Sequence, residues 1–254
     1  MLVFSSKTRV HFGDGCFAEA LESEKGFLGE RVLVVTTGGS LERLGLLSQV
    51  NDAVATIVGE GNVAVFSDVQ ADPDIEEVRK AVELGKSFGA TCVIGFGGGS
   101  AMDAAKAAAV GIAANEDVED YLLKGLTPGE STLPIIAIPT TSGTGSELSR
   151  GAIISCRRLN VKTGIRGDAV IPAVAIVDPC FTWSVPMRVT METGFDAFAH
   201  AAESYFSIKA NAFSEMLSER VIKTCGKALL QLRNDLDDHE ARNQMAFASS
   251  SIGH

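Results

Sequence analysis

Asp196 and His200 stand four residues apart in the segment Glu192-Thr-Gly-Phe-Asp-Ala-Phe-Ala-His200. On a helix that spacing puts both side chains on one face. A carboxylate and an imidazole placed so make half of a divalent-metal site, and Glu203, one turn further on, is a candidate to orient them. The same spacing also fits an ordinary hydrogen bond on a helix surface. A second chemical segment is Gly97-Gly-Gly-Ser100, which leads into Ala101-Met-Asp-Ala-Ala-Lys106. Bare glycine backbone at a helix start exposes N–H groups to an anion such as a diphosphate, with Ser100 as the expected cap. Asp103, one turn in, is placed to accept hydrogen bonds from the loop or from a ligand, or simply to favour the helix N-terminus. A tight turn that merely packs is the plainer reading, because the spacing matches neither GxGxxG nor the P-loop. The third segment, Pro139-Thr-Thr-Ser-Gly-Thr-Gly-Ser-Glu147, is small and hydroxyl-rich. It suits wrapping a polar ligand with hydroxyls and amides, or a solvated loop.

The elements that must carry these segments alternate. Arg31–Thr37, Asn62–Phe66, Ala90–Gly95, Pro134–Ile138 and Val174–Asp178 are short apolar, largely β-branched runs that predict buried strands. Leu41–Val58, Asp72–Phe88 and Ser100–Ala114 predict helices between them. The second of these opens on Asp72 as cap with Pro73 at the first helical position. Repeated strand and helix imply a parallel sheet covered on both faces, and the loops at the carboxyl ends of its strands are where ligands bind. From Met187 onward helical spacing dominates, which predicts an α/β domain over residues 1–184 and an all-helical region over 185–254.

A formal net charge of −10 repels nucleic acid and anionic membranes, which leaves small molecules or further copies of the chain as partners. No apolar run approaches the ~20 residues of a membrane helix. Residues 1–9 have no apolar core of signal type, so a cytoplasmic location is expected. Cys16, Cys92, Cys156, Cys180 and Cys225 are scattered without a CxxC pair and are expected to be free thiols.

Taken together, Gly97–Lys106, Pro139–Glu147, Lys162-Thr-Gly, Val177-Asp-Pro179 and Gly194–His200 resemble the iron-containing alcohol dehydrogenases in order and spacing. The likeness runs from Val10-His-Phe-Gly-Asp-Gly15 to Met245-Ala-Phe-Ala-Ser249. It implies a Rossmann-like dinucleotide-binding α/β domain followed by an all-helical domain, with NAD or NADP on the first and a catalytic divalent metal, Fe2+ or Zn2+, on the second. Asp196 and His200 match two metal ligands. Gly97, Gly98, Gly99, Ser100 and Asp103 match the diphosphate loop. Thr140, Thr141 and Thr144 match residues around the cofactor, and Lys162 one near the nicotinamide ribose. Asp72 stands where the family often has Asn before Pro.

The family's other two ligands are histidines further along than this sequence extends. The helical part is therefore expected to be incomplete and to hold metal weakly, and His254 to be incidental. The implied reaction moves hydride between an alcohol and nicotinamide, in a protein expected to form a homodimer when full-length. A lyase of the dehydroquinate-synthase type, a glycerol-dehydrogenase-like relative, a metal-free maleylacetate reductase and a non-catalytic nucleotide-binding fragment are the alternatives. Asp196 argues against the metal-free reductase. After the first strand, Thr37 stands where an acid would bond a ribose 2′-OH. Gly39 and Ser40 offer an amide and a hydroxyl there, which favours NADP, while a plain turn keeps NAD open.

Overall fold

The computed structural model describes residues 6–253; His254 lies outside them. In chain order the elements are β1 (Arg9–Phe12), α1 (Phe17–Ser23), β2 (Val32–Thr36), α2 (Ser40–Arg43), α3 (Leu46–Val58), β3 (Val63–Phe66), α4 (Ile75–Phe88), β4 (Cys92–Gly97), α5 (Gly99–Ala113), α6 (Val118–Leu123), β5 (Ile135–Pro139), β6 (Gly151–Cys156), β7 (Val161–Arg166), β8 (Val174–Val177), α7 (Met187–Phe206), α8 (Ala212–Asn234) and α9 (His239–Ser251).

The apolar runs behave as two-sided strands. In β2, Leu33 and Val35 pack with α4 and α5 on one face, and Val32 and Val34 pack with α1 and α3 on the other. The sheet has the order β1-β8-β5-β4-β2-β3 with every pairing parallel. The chain runs outward from β2 to β3, then returns past β2 to β4 and continues to β5. The carboxyl ends of β2 and β4 therefore flank a point where strand order reverses, the crevice in which open α/β sheets bind ligands. After β8 the described chain is helical, and α7, α8 and α9 share an apolar core of Ala197, Ala201, Val221, Cys225, Ala228, Leu232 and Met245. Phe195 and Phe206 stay exposed on α7, whereas Phe198 packs into that core.

Several expectations need correction. β1 is a strand that sequence pattern did not pick out, and it forms the sheet edge beside β8. β6 and β7 form an antiparallel hairpin outside the main sheet, where no strand was expected. The expected 41–58 helix is two helices, α2 and α3, divided at Gly45. Asp72 does not cap α4. Its φ is +63°, and the cap is Asp74, whose carboxylate accepts the Glu76 N–H at 3.0 Å. A carboxylate two residues later is better placed because Pro73 keeps the preceding backbone out of the helix.

Candidate functional site

Three loops meet at the carboxyl edge of the sheet. The glycine turn follows β4, the threonine loop follows β5, and Thr37–Ser40 follows β2. The first two are in intimate contact. Thr140 N–H donates to the Gly97 carbonyl at 2.9 Å. A Cβ on Gly99 would lie 2.6 Å from Thr144 Cγ2, so only glycine lets the threonine loop close over this helix start. Gly98 is the N-cap of α5 and no side chain caps that end. Ser100, the expected cap, instead accepts the Asp72 N–H with its hydroxyl at 3.2 Å, because it sits inside the first turn and faces the α4 entry. The first-turn N–H groups of α5 thus remain available to an anion.

The turn opens onto a cavity of about 1120 Å³. Its walls come from separate parts of the chain. Gly99, Ser100 and Asp103 line it from α5, Thr144 and Ser146 from the threonine loop, Lys162 and Arg166 from β7, Asp72 from the α4 entry, and Asp196 and His200 from α7. The hairpin that escaped sequence analysis is therefore a wall of the site and carries Lys162 into it. Lys162 Nζ lies 2.5 Å from Asp72 Oδ1. That ammonium, with smaller help from other groups, holds the Asp72 carboxyl below its usual range although burial opposes it. Asp196 Oδ1 and His200 Nε2 are 3.8 Å apart, both about half exposed. A carboxylate and an imidazole side by side and open to a cavity suit two ligands of a divalent cation. Among the described residues no cluster of three or more His, Cys, Asp or Glu adds to them.

Not every expected residue faces this cavity. Gly97, Gly98 and Thr140 stand behind its lining, while Thr141 lines a small gap beside α7. Thr37, Gly39 and Ser40 stay at the end of β2, outside the lining. Asp103 lines the cavity, but its oxygens are engaged: Oδ1 accepts the Ser146 hydroxyl at 2.6 Å and Oδ2 the Ile153 N–H at 3.0 Å.

Sequence reasoning missed Lys106 and Glu147. Lys106 is fully buried. Its amine donates to Ser146 Oγ and Ser149 Oγ at 3.0 Å, to the Ser149 carbonyl at 3.1 Å and to the Gly151 carbonyl at 2.9 Å. Burial lowers it to about 8, against the attraction of Asp103 and Glu147. Glu147 is buried as well, raised by desolvation, and accepts the Ser250 hydroxyl of α9 at 2.7 Å. The signal was present in Ala104-Ala-Lys-Ala-Ala-Ala-Val110. A helix apolar all round is buried all round, and a lysine within it must find acceptors indoors.

Comparison with known proteins matches this geometry. Residues 7–179 match the family model "Iron-containing alcohol dehydrogenase", and residues 190–253 match "Fe-containing alcohol dehydrogenase family, C-terminal". The chain is 33% identical over 250 residues to a sulfoacetaldehyde reductase of Bilophila wadsworthia, covering 98% of this chain and 63% of that protein. It is 35% identical over 250 residues to NADH-dependent butanol dehydrogenase A of Clostridium acetobutylicum, covering 97% of this chain and 63% of that protein. Among solved structures, sulfoacetaldehyde reductase from Bifidobacterium kashiwanohense in complex with NAD+ superposes with a TM-score of 0.91 at 32% identity, over 100% of this chain and 66% of that one. The chain thus spans about 63% of the length of these curated relatives. A cavity walled by an uncapped glycine turn, a threonine loop, a hairpin lysine and an Asp/His helix, together with family matches on both sides of the strand-to-helix transition, places the chain in the iron-containing alcohol dehydrogenase family.

Proposed function

We propose that the cavity binds a nicotinamide dinucleotide and that the chain serves a metal-dependent alcohol dehydrogenase or aldehyde reductase. The observation that carries this reading is the convergence of Gly99, Ser100, Thr144, Lys162, Asp196 and His200 on one cavity. In this reading the open N–H groups at Gly99 and Ser100 take the diphosphate. Thr144 packs over it, and Lys162 exchanges its Asp72 partner for the ribose of the nicotinamide half. Asp196 and His200 would hold the divalent cation, iron first and zinc as the alternative, and that cation when bound stabilises an alkoxide oxygen. The walls position the ring and exclude water. Thr37 in place of an acid leaves no carboxylate at the end of β2 to repel a 2′-phosphate, which favours NADP over NAD. The reading also has the protein working as a homodimer on a small alcohol or aldehyde in the cytoplasm.

The test is alcohol-dependent reduction of NAD+ and NADP+, and aldehyde-dependent oxidation of their reduced forms, in the presence of Fe2+ or Zn2+. Binding of both dinucleotides with a lower Kd for NADP+ is expected of this chain, and metal-dependent hydride transfer of a protein that also carries the family's two further histidine ligands. Binding of neither dinucleotide contradicts the reading as a whole. Tenfold tighter binding of NAD+, about 1.4 kcal/mol, contradicts the preference alone.

A further inference from the structure

The threonine loop is held by very little apolar packing. Between Pro139 and β6 it has no regular structure, and Leu148 is its one buried large apolar side chain. Its position must come from polar anchors. Glu147 supplies one to α9 through the Ser250 hydroxyl, and the amine of Lys106 supplies several to α5, reaching the far end of that loop and Gly151, the first residue of β6. Four acceptor atoms share the three protons of one ammonium. Asp103, one turn earlier on the same helix, completes the tie through Ser146 Oγ and the Ile153 N–H. Ser146, Ser149, Gly151 and Ile153, which these two side chains hold, all line the cavity, while Lys106 itself does not.

A merely space-filling role at this depth would suit methionine, which incurs no desolvation cost. A buried ammonium is costly unless its hydrogen bonds are needed. Those bonds join α5, which carries the glycine turn, to the threonine loop and to the hairpin that carries Lys162.

We infer that Lys106 is the positioning residue of the cofactor cavity, fixing the threonine loop and the β6–β7 hairpin against the glycine helix so that Thr144 and Lys162 converge on the bound dinucleotide. This rests on the proposed reading of the cavity as a dinucleotide site. Lys106 acts through its acceptors and touches no ligand.

The test compares Lys106→Met with Leu33→Ala, a core variant in β2 that weakens the same domain without touching the cavity walls. Kd for NAD+ and NADP+, thermal unfolding and amide hydrogen exchange are measured on each, beside the wild type. Lys106→Met is expected to raise the dinucleotide Kd about tenfold and to speed exchange over residues 144–153. Leu33→Ala is expected to unfold at a lower temperature with Kd and loop exchange unchanged. If Lys106→Met leaves both Kd and loop exchange at wild-type values, or if Leu33→Ala raises Kd equally, the inference is overturned. Should Lys106→Met not fold, Lys106→Arg is read by the same two measurements. It keeps the charge but displaces the acceptors, so a Kd raised about threefold with faster loop exchange is expected, and wild-type values in both overturn the inference. Failure of the wild type to bind either dinucleotide would sink the cavity assignment instead, and loop exchange would still decide whether Lys106 fixes the loop.

Discussion

Replacing Gly143 with alanine tests how closely the two halves of the cavity are joined. Gly143 lies in the threonine loop where it meets α7, three residues before Asp196. A Cβ there would stand 2.7 Å from the Thr193 carbonyl oxygen, 2.8 Å from Thr193 Cβ and 3.0 Å from Thr193 Cα. Carbon atoms in good contact sit at about 3.5–4.0 Å, so loop and helix must separate by roughly 0.5–1 Å. Two of the three atoms are backbone, and no rotamer change relieves them. Gly143 is not in the left-handed region, so the cost is steric. Losing glycine would by itself stabilise by about 0.4–1 kcal/mol through the unfolded chain, while overpacking costs about 1–3 kcal/mol. The net expectation is a loss of about 1–2 kcal/mol. At roughly 2–4 °C per kcal/mol for a chain of this size, Tm falls by about 2–8 °C. The same separation moves Asp196 and His200 away from the glycine turn. Differential scanning calorimetry reads the first effect and dinucleotide titration the second. An unchanged or raised Tm would show that the loop does not rest on α7, and the account of a shared cavity would lose its physical link.

Other expected outcomes follow from particular contacts. In a protein that also carries the family's two further histidine ligands, Asp196→Ala should abolish binding of Fe2+ or Zn2+, measured by calorimetry, and leave dinucleotide Kd within a factor of about two, because the two groups stand on separate elements; equal loss of both would mark the α7 pair as structural. Glu24 is nearly buried, bonded to His11 at 2.9 Å and to Arg9 at 3.0 Å, and those partners, His11 first, hold its carboxyl below the ordinary value of 4.5. Its stabilisation is therefore present above pH 4.5 and lost as pH falls through the lower folded-state value, so the Tm difference between wild type and Glu24→Gln should be present at pH 7 and vanish in acid. Arg242 is buried and donates to Thr190 Oγ1 at 2.8 Å, the Val185 carbonyl at 2.9 Å and the Leu236 carbonyl at 3.0 Å, joining α9 to the start of α7. Arg242→Met removes the donor from the Leu236 carbonyl and leaves the Thr190 hydroxyl and the Val185 carbonyl only their bond to each other at 3.2 Å, and should cost about 1–3 kcal/mol in urea denaturation.

What could be read from the sequence divides along physical lines. β2, β4, β5 and β8 are buried on both faces, so their apolar runs are continuous and legible. β1 is an edge strand of four residues, Arg-Val-His-Phe, largely exposed, and carries no such run. The β6–β7 hairpin was hidden because Lys162, Thr163 and Gly164 have the composition of a loop. Its strandedness comes from pairing across the Arg157–Asn160 turn. The glycine turn, the threonine loop and the Asp/His pair were legible as chemistry because their residue types are special at their spacing. Their convergence was not, since it depends on strand order. The roles of Asp103 and Lys106 were illegible for the same reason: their partners lie 40 to 50 residues onward.

The central claim is that this cavity is a dinucleotide site built jointly by the glycine turn, the threonine loop and the hairpin. Hydrogen exchange of the intact chain with and without saturating NADP+ or NAD+ tests it most directly. Slowed exchange is expected in three separate stretches, residues 97–103, 140–146 and 161–166, with the outer face of α3 unchanged. Protection confined to another surface, or no protection at saturating concentrations of either dinucleotide, would contradict it.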